Sequence, residues 1–516
     1  MGARPGHGRH PLPAPLDRGA CSATHCTVVS VCTLFKSSDR PPPTCEEHAM
    51  TAEPAEPTRP SDQHDVVVVG AGATGLTAAL RLTEAGHDVV VLEARDRVGG
   101  RLSTESHGPA GQESDFEVGG QWISPDQTAL LAMVEELGLT TYLRYREGDS
   151  VFVTPDGAVE RFTTDLPLPE ATNGEVERLS DALERLSLEL DPAAPWDHPD
   201  AERLDSVTFQ AWLEAQSDDP VAVATVGLFI GPAMLTKPAH AFSALQAGLM
   251  AASAGRFEHL VDADFILDRR VAGGLASVPA AIAARLGERV RLGVDVRRIT
   301  RTEDGVVVHT ADGTLGARRL VLALPPTHVS RIRIEPPLPH RHQAARQHTS
   351  FGLVLKVQAE YDTPFWREDG LSGTGFAPHL LVHEVYDNTN DVSERDTGTG
   401  TLVGFVSDLR AEEALTWTPE ERRERVLASL AAYFGDAART PRTYVESDWH
   451  EQELTGGAYA TSFDVGGLVR WGAVLRQPVG PLHFGSSDVA GLGYQHVDGA
   501  IRVGHDLAAE VSATLG

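Results

Sequence analysis

The sequence predicts an α/β protein of two domains, one of them organised around a βαβ unit that binds a dinucleotide. Three observations carry this expectation. The chain has 516 residues, more than one compact core normally holds. Its 41% hydrophobic and 23% charged residues are those of an ordinary globular protein. Finally, HDVVVVGAGATGLTAALRLTEAGHDVVVLEAR, residues 64–95, sets a glycine-rich turn between a β-branched run and a helical one.

Residues 1–61 read as a disordered leader, or as an extension upstream of a start at Met50, because PLPAP, RPPPT and AEPAEPTRP leave no periodic apolar pattern. The apolar run TVVSVCTLF is short and little positive charge precedes it, a poor fit to a signal peptide. Cys21, Cys26, Cys32 and Cys45 all lie here, at spacings of neither a zinc knuckle nor a CxxC pair. No cysteine follows Cys45, so no thiol in the body serves as nucleophile, metal ligand or attachment point. The formal charge of −29 argues against nucleic acid as a partner and favours small cations, although such acidity also serves solubility alone. No run of about 18 apolar residues predicts a membrane span.

The body opens with a buried strand, Val66 to Val69, then Gly70, Gly72, Ala73 and Gly75, a helix to about Ala85, and a second strand ending at Glu93. The first glycine permits the tight turn, the second lets backbone approach a pyrophosphate, and the third lets helix and strand pack closely. The helix N-terminus favours an anion, and Glu93 is placed to accept from ribose hydroxyls. This fingerprint does not separate NAD from FAD.

Further on, RDRVGGRLST (95–104) and DFEVGGQWISPDQ (115–127) resemble the second and third motifs of the flavin amine oxidases, and GPLHFGSSDVAGLGYQHVDGAIRVGHDLAAEV (480–511) resembles the last. The resemblance runs from about residue 64 to 512 and implies a two-domain flavin amine oxidase fold: a Rossmann-like FAD domain and a substrate domain of mixed sheet and helices. By that analogy residues 62–138, 265–325 and 450–516 build the FAD domain, and 139–264 with 326–449 the substrate domain. FAD would be held by Gly70, Gly72, Ala73, Gly75, Glu93, Ala94 and Arg95, with Gly100 and Arg101 around the diphosphate. Gly119, Gly120, Gln121 and Trp122 would approach the flavin, Val296 the adenine, and Asp488 the ribityl chain. The last helix, expected from near Gly499, would aim its N-terminus at the flavin pyrimidine, with Val497, just before it, among the cofactor contacts.

The family also implies two aromatic walls perpendicular to the flavin. TGGAYATSF supplies Tyr459 for one; the ungapped count supplies His496 for the other, with Tyr494 two residues earlier. The histidine departs from the usual aromatic residue, and both residues also read as ordinary helix-entry positions. Ala458 stands where some relatives carry the cysteine that bonds FAD, so the cofactor is expected to be non-covalent. Arg331 aligns with a family lysine that holds a water at flavin N5; arginine keeps its proton, which leaves water positioning, an exposed charge, or a carboxylate contact to an amino-acid substrate.

KVQAEYDTPFWREDGLSGTGF, HEVYDNTN and GYQHVDGA resemble the putrescine oxidase branch of bacteria. The implied activity is oxidation of a primary amine by hydride transfer to flavin N5, with O2 as acceptor, giving aminoaldehyde, ammonia and hydrogen peroxide. A diamine carries a second ammonium that needs an anionic partner when buried. Glu384 is the candidate, Asp387 the next; each is otherwise one more carboxylate on an acidic protein. A flavin oxidase of another amine (polyamine, monoamine or amino acid) and a non-catalytic flavin-bearing interaction protein stay open. A homodimer and a cytoplasmic location follow from family analogy. PHRHQAARQH holds His340, His342 and His348 without convergent carboxylates, so no metal site is expected.

Overall fold

The computed structural model describes residues 62–392 and 398–516, and the leader lies outside them. Among these residues two large sheets dominate, with a helical layer beside them.

The larger sheet has eight strands among the described residues. Its centre is the strand Asp62–Val69, paired in parallel with Val89–Leu92 on one side and Gly313–Leu322 on the other. Val66 to Val69 are buried, which is why the run is uniformly apolar rather than alternating. Helix Ala73–Glu84 returns the chain between the two parallel strands and ends one residue before the expected Ala85. The turn at Asp312-Gly313 joins Val306–Thr310 to Gly313–Leu322 as an antiparallel pair. Leu482–Phe484 adds in parallel to Gly313–Leu322, and the last helix, Val497–Leu515, starts two residues before Gly499 and packs on Ala73–Glu84. Arg333–Glu335, beyond the boundary expected at 325, also joins this sheet by pairing with Arg298–Arg301.

The second sheet orders Thr443–Asp448, Val354–Tyr361, Gly400–Ser407, Glu384–Asp387, Leu371–Phe376, Asp149–Val153 and Val159–Phe162. Helix Pro419–Phe434 covers its far side; Thr418 caps it by accepting from the Glu421 N–H, and Gly435 ends it at φ +82°. The helical layer forms its own core around Leu179, Phe209, Phe242 and Met250. Residues 227–255 are not one helix. Pro220–Ile230 passes into a wide π turn, Gly231–Leu235, and a new helix runs from Ala244 to Ser253. Pro232 and Pro238 lie in the break, where each lacks the N–H that a continuous helix would use.

Candidate active site

One cavity of about 1590 Å³ runs between the two sheets and the helical layer. At its dinucleotide end the wall is Gly70, Gly72, Ala73, Glu93, Ala94, Arg95 and Val296. Gly75 stands behind the wall, where a Cβ would meet the Gly70 carbonyl oxygen at 2.0 Å, whereas a Cβ on Gly72 would meet nothing within 4 Å. The two glycines thus do different work: one lets helix and strand touch, the other leaves the cavity open at the helix N-terminus. Glu93 is held by backbone, accepting from Ala71 N–H at 2.8 Å and Arg95 N–H at 3.0 Å. Its carboxylate is therefore fixed in the wall, ready for hydroxyl donors.

Gly100, Arg101, Gly119, Gly120, Gln121 and Trp122 continue the lining, with Ala458 and Tyr459 opposite. Asp488 does not line the cavity. Its side chain is fully buried, bound to Arg101 Nη2 at 2.6 Å and accepting from Thr461 N–H at 2.6 Å. Arg101 also donates to the Tyr459 carbonyl at 2.9 Å, so Asp488 acts on the site by aiming Arg101. Burial alone would raise the Asp488 carboxyl, but Arg101 and its hydrogen bonds hold it below the usual range.

His496 and Val497 line the cavity at the N-terminus of the last helix, where no side chain caps the free N–H groups. Tyr494 does not: its ring is part of the helical core and its hydroxyl donates to the Thr461 carbonyl at 3.2 Å. Tyr494, expected to be catalytic, therefore does not face the cavity, because the turn before the helix points residues 494 and 496 in different directions. Arg331 is at the exposed rim, donating to the Glu453 carbonyl. His328, on the turn before it, reaches into the wall, and burial together with the Arg331 charge pushes its imidazole down to about 4.

The other end of the cavity is a face of the second sheet. Phe405 pairs with Lys356 on one neighbouring strand and with Glu384 on the other, and Glu384 pairs in turn with Phe376. Side chains directly opposite in a sheet share a face, and these four all line the cavity. Lys356 donates to the Glu117 and Gly119 carbonyls and to Gln121 Oε1, clamping the loop that carries Gly119 to Trp122. Its burial pushes the ammonium down to about 7. Tyr459 stands edge-on to Phe405 at 6.1 Å, and Trp122 edge-on to Tyr386 at 5.6 Å. Burial, then the nearby Glu384 charge, raise the Tyr459 hydroxyl well above its ordinary range, so it stays protonated.

Glu384 is 6% exposed and accepts the Tyr386 hydroxyl at 2.9 Å. His383 Nε2 is 3.6 Å from its Oε1, and among the described residues no lysine or arginine is within ion-pair distance. Its neighbours differ. Asp387 accepts from Trp366 Nε1 at 2.8 Å and from Arg367 Nε at 2.7 Å, and Asp391 meets Arg367 Nη1 at 3.1 Å. Asp387 is thereby neutralised inside the protein, leaving Glu384 as the acid of this segment that faces the cavity without a cation. Arg144 also lines the wall, donating to the Leu267 carbonyl and lying 5.4 Å over the Tyr386 ring. Lys356, Arg144 and His383 were not singled out from sequence; a lysine inside a strand buried along its whole length, Val354–Tyr361, was the available signal.

A profile of flavin containing amine oxidoreductases matches residues 73–512. The chain belongs to this family. A narrower match, to pyridine nucleotide-disulphide oxidoreductases, covers residues 30–114 around the βαβ unit. The amine oxidoreductase is 53% identical to putrescine oxidase of Kocuria rosea over 87% of this chain and 95% of that one. A solved putrescine oxidase bound to putrescine is 52% identical, with TM-score 0.84, covering 87% of this chain and 99% of the other. Cyclohexylamine oxidase from Brevibacterium oxydans is 30% identical, with TM-score 0.82, over 88% and 99%. A flavin cofactor belongs to this family, and the cavity fits one: open space above Gly72, a fixed acid at Glu93, and an uncapped helix N-terminus at Val497. Among the described residues no helix is long and apolar enough to cross a membrane, and no group of three or more His, Cys, Asp or Glu is placed to hold a metal ion.

Proposed function

We propose that this chain is an FAD-dependent oxidase of putrescine and similar diamines, producing an aminoaldehyde, ammonia and hydrogen peroxide. The observation that carries the reading is Glu384, a buried carboxylate in the cavity wall with no lysine or arginine partner among the described residues. Burying such a charge is costly unless a counter-charge arrives, and the distal ammonium of a diamine is that charge. The Tyr386 hydroxyl fixes the carboxylate toward it.

The other residues then take roles along the substrate. Tyr459 and His496 flank the reacting nitrogen and confine it to the flavin end. Phe405, Phe376 and Trp122 exclude water along the methylene chain. Lys356, at the flavin end of the same sheet face, opposes a second cation there when protonated, so that the diamine enters with its charged end toward Glu384 and its reacting end neutral. Bound FAD supplies the hydride acceptor and passes the electrons to O2. With Ala458 beside Tyr459 and no cysteine after Cys45, the FAD is held without a covalent bond. Dimerisation and a cytoplasmic location rest on family analogy, and sedimentation tests the first.

The test is peroxide formation by flavin-loaded protein in air with putrescine, cadaverine, spermidine and benzylamine. The diamines should react fastest; equal or faster benzylamine oxidation, or no peroxide at all, contradicts the proposal. Arg144 in the wall favours one second reading, an amino-acid substrate whose carboxylate meets the guanidinium. Adding ornithine to the panel separates it, because ornithine is putrescine with a carboxylate.

A further inference from the structure

Behind the Glu384 wall lies a second chamber of about 680 Å³. It shares Leu228, Pro378 and His383 with the main cavity, so the two spaces are separated by one layer of side chains. Its floor continues the same sheet face. Ser407, two residues beyond Phe405 on the strand Gly400–Ser407, lines it.

Among the described residues, two buried polar atoms of this lining have no hydrogen-bond partner: Ser407 Oγ, in a residue 1% exposed, and His383 Nε2, in a residue 2% exposed, whose nearest acceptor is Glu384 Oε1 at 3.6 Å. An unpaired group at such depth is costly, and a hydrogen-bonding partner that enters the chamber, water or ligand, relieves that cost. The charge around the chamber says which kind. Glu214, which accepts from Gln210 Nε2 at 2.7 Å, and Asp218 are exposed and Asp408 is half-buried in the lining, and among the described residues none is within ion-pair distance of a lysine or arginine, although the Arg410 charge interacts with Asp408. Arg410, the guanidinium of the lining, is turned to donate to the Leu380 carbonyl at 2.6 Å.

We propose that this chamber is a second binding site for an organic ammonium, filled by a linear polyamine such as spermidine, and that its occupancy is felt at Glu384 across the His383 wall. The carboxylates draw the cation in, Ser407 Oγ accepts from it, and His383, 3.6 Å from Glu384 Oε1, is the shared partition. A positive charge on the far side of that partition offsets part of the Glu384 field and loosens the hold on a diamine. The expected effect, for charges on the order of 8 Å apart in a partly buried setting, is a rise of about threefold to tenfold in putrescine KM with kcat unchanged.

The inference rests on the amine oxidase reading, and the experiment keeps the two apart. Consumption of putrescine by the flavin-loaded enzyme is followed chromatographically against spermidine at constant ionic strength. The proposal expects KM to rise and then level off, with the plateau lost in Ser407→Val and in Asp408→Asn while both keep the parent KM and kcat without spermidine. A KM that climbs without limit means plain competition in the main cavity and overturns the proposal, as does a plateau retained in both variants or no response at all. If putrescine is not consumed, the proposed function falls. Calorimetry with spermidine on the same holoenzyme then decides the chamber: binding abolished by the two substitutions together supports it, and absent or unaltered binding overturns it.

Discussion

Lys356 and Glu384 stand on either side of Phe405, each directly opposite it on a neighbouring strand. A lysine amino group and a carboxylate are thus fixed two strands apart on one cavity wall, the first beside the loop of Gly119 to Trp122, the second among Tyr386, Phe376 and Phe405. Such a wall carries opposite polar groups at the two ends of an aromatic stretch, along the path proposed for the substrate. It favours a chain with a cation at one end only.

Gly72 and Gly75 should fail differently when enlarged. Gly72 has ordinary extended backbone, φ −78° and ψ 178°, and open space above it. Gly72→Ala is expected to fold with near-parent stability in urea and to lose FAD affinity, read from the flavin retained on gel filtration. Gly75→Ala drives a Cβ into the Gly70 carbonyl and should cost about 2 kcal/mol or more of unfolding free energy.

Asp387→Asn tests the division of labour among the acids. Breaking its pairing with Arg367 and Trp366 should destabilise the fold by about 3 kcal/mol. The ratio of diamine to monoamine oxidation should not change, and a changed ratio means that Asp387 faces substrate after all.

Acid should erode stability through two buried histidines. His328 and His342 are pushed down to about 4 from 6.5, first by burial and then by Arg331 and Arg346. The unfolded chain takes up these protons before the folded one does, so the stability of the neutral rings is complete above 6.5 and is lost as the pH falls toward 4. Urea midpoints at pH 7 and pH 5 should drop less in a His328→Gln, His342→Gln double variant than in the parent.

The flavin should leave with acid. Precipitation of the holoenzyme is expected to release yellow colour to the supernatant; colour kept in the pellet indicates a covalent bond to a histidine or tyrosine.

The parts legible in sequence were those in which one local segment does the whole task. The strand, glycine turn, helix and acid of residues 66–93 are contiguous, and their geometry follows from backbone and packing alone. Asp488 and Tyr494 were assigned to the cavity and are not in it, because a motif fixes position along the chain but not which way a side chain leaves a turn. Lys356 and Arg144 reach the cavity from a strand and a loop whose facing depends on long-range register. Glu384 was nameable, but its distinction from Asp387 was not: that depends on Arg367, which lies on a separate turn and pairs with one acid and not the other.

The central claim is that Glu384 receives the distal ammonium, and Glu384→Gln tests it most directly. The quantity to measure is the ratio of kcat/KM for putrescine to that for butylamine, in parent and variant, at one salt concentration. A charge-assisted hydrogen bond contributes about 1.5 to 3 kcal/mol, so putrescine kcat/KM should fall on the order of tenfold to a hundredfold. Butylamine, which has no distal charge, should be oxidised as before or slightly faster. A ratio unchanged by the substitution contradicts the account.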